Sequence, residues 1–98
     1  MLWGIIVHPG EILSEELKAE GISAAALARD IDVPANRINQ IISGKRAITG
    51  DMALRLGHWF GTGPELWMNL QSNHDLAVAA RDVGPTVARL PRRAPEAA

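Results

Sequence analysis

The segment from Asn36 to Gln40 gathers four side chains suited to reading a patterned polar surface. Asn36, Asn39 and Gln40 each carry an amide with one acceptor oxygen and one donor NH2, and Arg37 adds a planar, permanently charged donor fork. They are interleaved with Ile38, Ile41 and Ile42. With Ile38 at zero on a helical wheel, Ile41 and Ile42 lie about 60° and 40° to either side of it. Asn36 and Gln40 then fall almost opposite the isoleucines, with Arg37 and Asn39 on the flanks. An amide matches the adenine edge in the major groove of DNA, and an arginine matches the guanine edge. A helix face that only meets water more often carries Glu or Lys, so base reading is the sharper expectation.

Charge is distributed to suit that chemistry. From Val33 to Thr49 the chain has Arg37, Lys45 and Arg46 and no acid, whereas Glu11 to Glu20 holds four Glu and one Lys. A chain of net charge -1 has therefore collected its cations on one short stretch and its anions on another. Lys45, Arg46 and a capped helix start at Thr49 are placed to hold phosphates, which fix register without reading sequence.

These residues need a scaffold that presents one helix. Ser23 caps a helix from Ala24 to Asp30, with Leu27, Ala28 and Ile31 on one face. Ile31-Asp32-Val33 forms a turn in which Asp32 takes the positive-φ position more commonly given to Gly. Pro34 starts a second helix, Ala35 to Ser43, and Gly44 stops it. This is the pattern of a helix-turn-helix, whose second helix enters the major groove. Around it, a helix from Pro9 to Glu20 buries Ile12, Leu13 and Leu17. A helix after Thr49 groups Ala53, Leu56, Gly57 and Phe60. Pro64 begins a fifth helix to about Asp82, with Leu66, Leu70, Ala77 and Ala80 at roughly helical spacing. At about 28 Å it is long for such a bundle. The fold class is all-α, a five-helix domain over residues 9–82. Residues 1–8 form a short apolar N-terminal arm, and residues 83–98, rich in Pro, Ala and Arg, form a mobile tail. Leu2 to Val7 either packs on the body or pairs as a strand with a second chain.

Composition excludes other classes. With 98 residues and 47% apolar content the chain is one small globular domain. Without Cys there is no disulfide, thiolate metal site or cysteine nucleophile. His8, His58 and His74 are scattered with no HExxH arrangement, and Ser14, Ser23, Ser43 and Ser72 lack a nucleophile elbow. The expectation is a protein that is not an enzyme and holds no metal or cofactor. The opening apolar run has no basic region before it and ends at His8-Pro9-Gly10, so neither a signal peptide nor a membrane span is read. A cytoplasmic protein is the plain expectation.

HPGEIL at His8–Leu13, the helix-turn-helix ending in SGKRAIT, and DMALRLGHWFGTGPELWMNLQSNHDL from Asp51 to Leu76 resemble the HigA-type antitoxins, also called the VapI-like group. They belong to the wider phage-repressor-like helix-turn-helix class. The resemblance implies a five-helix repressor fold, a homodimer on double-stranded operator DNA, and repression of its own operon. It also implies a partner toxin of the RelE-like, mRNA-cleaving type; a stand-alone repressor without toxin is the alternative. Alignment with the class makes Ala35, Asn36, Arg37 and Gln40 the base-reading residues, Ala35 by apolar contact alone. Ser23, Asn39, Lys45, Arg46 and Thr49 are the phosphate contacts expected around them. Asp32 in place of Gly and His74 in place of Tyr depart from the group's pattern. The group would not lead one to expect the apolar arm.

Overall fold

Most helix boundaries among the described residues coincide with a particular side chain or turn. The computed structural model describes residues 6–94. The helices run in the order α1 (Pro9–Glu20), α2 (Ala24–Ile31), α3 (Ala35–Ile42), α4 (Gly50–Phe60) and α5 (Pro64–Ala88), and no strand occurs among the described residues. Ser23 Oγ accepts from Ala26 N–H at 3.1 Å, and Thr49 Oγ1 accepts from Met52 N–H at 3.3 Å. His8 caps α1: its Nδ1 accepts from Gly10 N–H at 2.9 Å while the Glu11 carboxylate accepts from His8 N–H at 2.9 Å. Two donors left open at the helix start are thus met reciprocally, with histidine in the place usually taken by Ser or Thr.

The first three helices close in the same way. Ile22, Val33 and Lys45 donate backbone N–H to Leu17, Ala28 and Gln40 carbonyls at 2.9, 3.0 and 2.8 Å. The residues before them, Gly21, Asp32 and Gly44, are left-handed at φ 69°, 58° and 80°. These are Schellman closures, which reverse the chain tightly enough to cross one short helix over the next. Asp32 takes the positive φ expected of it, at a cost that glycine would largely avoid.

Leu13, Leu17, Leu27, Ile31, Ile38, Ile41, Ile48, Met52, Leu56 and Trp67 make one buried cluster. It draws on all five helices and on the α3–α4 loop. Two glycines allow close backbone approach. A Cβ on Gly10 would lie 1.8 Å from the Ile41 carbonyl oxygen, and one on Gly57 would lie 2.3 Å from the Gly63 carbonyl carbon. α1 therefore rests directly on the end of α3, and α4 on the start of α5.

The fifth helix departs from expectation in two respects. It runs to Ala88 rather than ending near Asp82, so residues 83–88 are helix and the proposed tail boundary at 83 is corrected. Pro85 removes the N–H that would have bonded the Arg81 carbonyl and sets its ring against that carbonyl, yet it stands exposed in the last turn of the helix, where little of α5 lies beyond it. The buried stripe also departs from expectation at its start, while Leu70 packs against the core as expected. Trp67 and Ala77 are buried, with Gln71 between them, and Leu66 is 44% exposed. The wide indole fills the core opening that Leu66 was expected to fill. Of the apolar arm, residues 1–5 lie outside the described residues, while Ile6 and Val7 are exposed and His8 is the α1 cap.

Candidate nucleic-acid interface

α3 is only eight residues long, so its pose depends on what holds its two ends. At the start, the turn is braced from α4. Arg55 Nη1 donates to the Ile31 carbonyl at 2.7 Å and to the Asp32 carbonyl at 3.3 Å, and Arg55 Nε donates to Asp51 Oδ1 at 2.8 Å. One guanidinium thus satisfies two carbonyls left open at the end of α2, next to the residue with positive φ. The hydrogen bond to Asp51 raises the Arg55 pKa further above its ordinary value. Asp51 also lies 4.0 Å from Arg37 Nη1, so α3's own arginine is drawn toward the start of α4.

At the far end, the α3–α4 loop is tied to α5. Gln71, 5% exposed, accepts from Ile48 N–H at 2.7 Å and donates through Nε2 to Asp75 at 2.9 Å. The loop carrying Lys45, Arg46 and Thr49 is therefore held by a buried hydrogen bond as well as by the Ile48 side chain. His8 lies beside the same α5 surface, its ring 4.8 Å from that of His74 in an edge-to-face contact. Burial, and then the charge of His74, lower the His8 pKa, against a smaller pull upward from Glu11 and Asp75. A neutral imidazole is the form that can accept from Gly10 N–H.

Ile38 and Ile41 are fully buried, Asn36 and Asn39 are exposed away from them, Ala35 is exposed at the first turn about 60° round from Ile38, and Arg37 and Gln40 are half-buried. Of the sequence-derived base readers, Asn36 and Gln40 therefore share one helix face with Arg37 on its flank, although two of them are engaged by neighbours. Arg37 leans toward Asp51, and the Gln40 side-chain oxygen accepts from Arg46 Nε at 2.9 Å. Lys45, Arg46 and Thr49 follow directly on the loop, all exposed, and Asn39 lies on the exposed face of α3. Ser23 is placed at the start of α2, its hydroxyl already used as the helix cap. A cleft of about 440 Å³ between α3 and α4 is lined by Pro34, Arg37, Arg46, Thr49, Asp51 and Arg55, among others. Among the described residues no group of three or more His, Asp or Glu is placed to hold a metal ion. No described helix is long and apolar enough to cross a membrane.

Asp51, Arg55 and Gln71 escaped the sequence reading as positioning residues. The first two carried a usable signal, an acid four residues before an arginine on one helix. Gln71 carried a weaker one, a polar residue four positions after Trp67 on the buried face.

The arrangement has close counterparts. The helix-turn-helix family model HTH_3 matches residues 13–67. Virulence-associated protein I of Dichelobacter nodosus is 49% identical over 77 residues, covering 78% of this chain and 71% of that protein. The Pseudomonas aeruginosa antitoxin HigA, solved with the higBA promoter, superposes with a TM-score of 0.86 at 42% identity, covering 93% of this chain and 100% of that one. A HigA-family addiction module antidote protein from Coxiella burnetii gives 0.84 at 43% identity, covering 89% and 96%. The match spans the scaffold from α1 to α5, including the helix-turn-helix and the α4–α5 segment that carried the resemblance in sequence. On that likeness in sequence and fold, the chain belongs to the helix-turn-helix family of the HigA antitoxins.

Proposed function

We propose that this chain is a DNA-binding antitoxin that represses its own operon as a twofold dimer and neutralises a RelE-like, mRNA-cleaving toxin in the cytoplasm. The observation that carries the DNA-binding part is the outer face of α3. It is rich in amides and basic, free of acid, and held at both ends by Arg55 and by the Ile48–Gln71 hydrogen bond. The promoter complex of the Pseudomonas relative supports the same use of the fold here. Ala35, Asn36, Arg37 and Gln40 then read bases, and Ser23, Asn39, Lys45, Arg46 and Thr49 meet phosphates. The domain unit is residues 9–82, extended by the further turns of α5.

The dimer reading rests on α5. Leu76, Val83 and Val87 on α5, with Leu90 just beyond its end, are each about half exposed and recur at spacings of seven, four and three. A second copy covering that stripe removes an apolar face from water and sets two α3 helices for successive major grooves, about 34 Å apart. One α3 alone offers too few contacts for a tight, specific complex.

The test pairs the purified chain with a duplex from upstream of its own gene and with a random duplex, at several salt concentrations. Preference for the upstream duplex, two protomers per site, and copurification with a small basic protein encoded beside it are expected. Specific binding without such a neighbour would leave a stand-alone repressor, and equal binding to both duplexes would refute the repressor role.

A further inference from the structure

We infer that Arg46 sets which base Gln40 reads, and that the pair selects the acceptor edge of guanine rather than the edge of adenine; the inference rests on the DNA-reading role proposed above. The local fold makes the pair. Gly44, left-handed at φ 80°, closes α3 so that Lys45 N–H reaches the Gln40 carbonyl and the chain doubles back. Arg46, six residues beyond Gln40 in sequence, is thereby laid beside its side chain, and Arg46 Nε donates to Gln40 Oε1 at 2.9 Å.

A guanidinium has donors only, so the side of the Gln40 amide that meets it is the oxygen. That oxygen keeps one lone pair, whereas both hydrogens of the Gln40 NH2 stay free for a base. Reading adenine with a glutamine uses both ends of the amide, since the base offers one donor and one acceptor; here the amide oxygen is shared with Arg46, whose donors would face the adenine N6 donor. Guanine offers two acceptors, N7 and O6, in the major groove. The Gln40 NH2 and the terminal nitrogens of Arg46 are both donors and match that edge. Arg37 and Arg55 lie against Asp51, but Arg46 has no carboxylate partner among the described residues, and it is exposed. Its terminal nitrogens are therefore open to a ligand. Lys45, alongside it on the loop and also exposed, stays a phosphate contact with Ser23, Asn39 and Thr49, while the Arg46 terminal nitrogens turn to the base. Arg46 thus becomes a specificity-determining residue in addition to a source of charge.

The test is selection from a randomised duplex library with the full chain and with the Arg46→Met and Gln40→Glu variants, at an exposed and a half-buried position and both checked by thermal melting. The wild type is expected to enrich a G·C pair at one position of each half-site. Arg46→Met frees the amide oxygen, and the preference for guanine over adenine at that position should fall by about tenfold or more. Gln40→Glu keeps Arg46 engaged and presents an acceptor, so the same position should move toward cytosine, whose N4 donates. A wild-type motif that Arg46→Met leaves unchanged, with affinity lowered evenly, would overturn the inference and leave the DNA-reading role standing. A wild type that enriches no motif would remove the role and the inference together.

Discussion

Replacing Gln71 by Leu isolates the bond that ties the α3–α4 loop to α5. Gln71 is 5% exposed, and its oxygen is the acceptor for the buried Ile48 N–H at 2.7 Å. Leucine has a similar volume, so the cavity left is small, but the N–H loses its partner at about 1–3 kcal/mol. The contact with Asp75 goes too, although water replaces it at that part-buried position. The added apolar burial returns a portion, leaving a net loss of about 1–2 kcal/mol. For a domain this small that lowers the melting temperature by about 4–16 °C. Urea unfolding followed by circular dichroism, at matched protein concentration because the stability of the proposed dimer would depend on it, gives the number. Amide exchange at Ile48 should accelerate more than at Leu13 or Leu27, because the loop opens before the core. A variant within about 0.3 kcal/mol of wild type, a change typical of an ordinary surface site, would refute the reasoning.

Three other perturbations follow from the same geometry. Gly10→Ala drives a Cβ into the Ile41 backbone and should cost about 3 kcal/mol or more, read by the same unfolding assay; a melt like that of wild type would mean α1 does not rest on α3 as described. The His8 pKa is lowered from 6.5, so the unfolded chain binds that proton more readily than the folded one. Stability should therefore rise with pH through the window just below 6.5 and be lost on acidification through it, and His8→Asn, which keeps a capping oxygen, should flatten that dependence in a series of melts. Lys45→Ala should weaken binding evenly on all duplexes and reduce the salt slope by about one, measured by titration at several salt concentrations; an unchanged slope would remove Lys45 from the phosphate contacts.

The helices were legible because their signals are local. Ser23 and Thr49 cap as expected, Gly21 and Gly44 terminate, and Asp32 takes the positive φ that its place between two apolar sets demanded. The buried isoleucines of α3 followed from periodicity alone, which left Asn36, Asn39 and Gln40 outward. What could not be read is set by contacts between residues far apart in the chain. Arg55 reaches carbonyls more than twenty positions earlier, and Gln71 reaches Ile48 across α4; no spacing rule announces either. The end of α5 was misplaced because Pro85 reads as a breaker. Near a helix end and itself exposed, its missing N–H and its ring's crowding of the Arg81 carbonyl do not end the helix, which continues to Ala88. Leu66 and Trp67 compete for the same opening, and periodicity does not say which side chain fills it.

The central claim is that the outer face of α3 reads base edges. It is tested most directly by comparing the wild type with Asn36→Ala on the upstream duplex and on a scrambled duplex of equal length and composition. Asn36 is exposed on α3, so folding should be undisturbed. The account predicts a loss of about 1–3 kcal/mol on the upstream duplex and little on the scrambled one. An equal loss on both, or none on either, would contradict it.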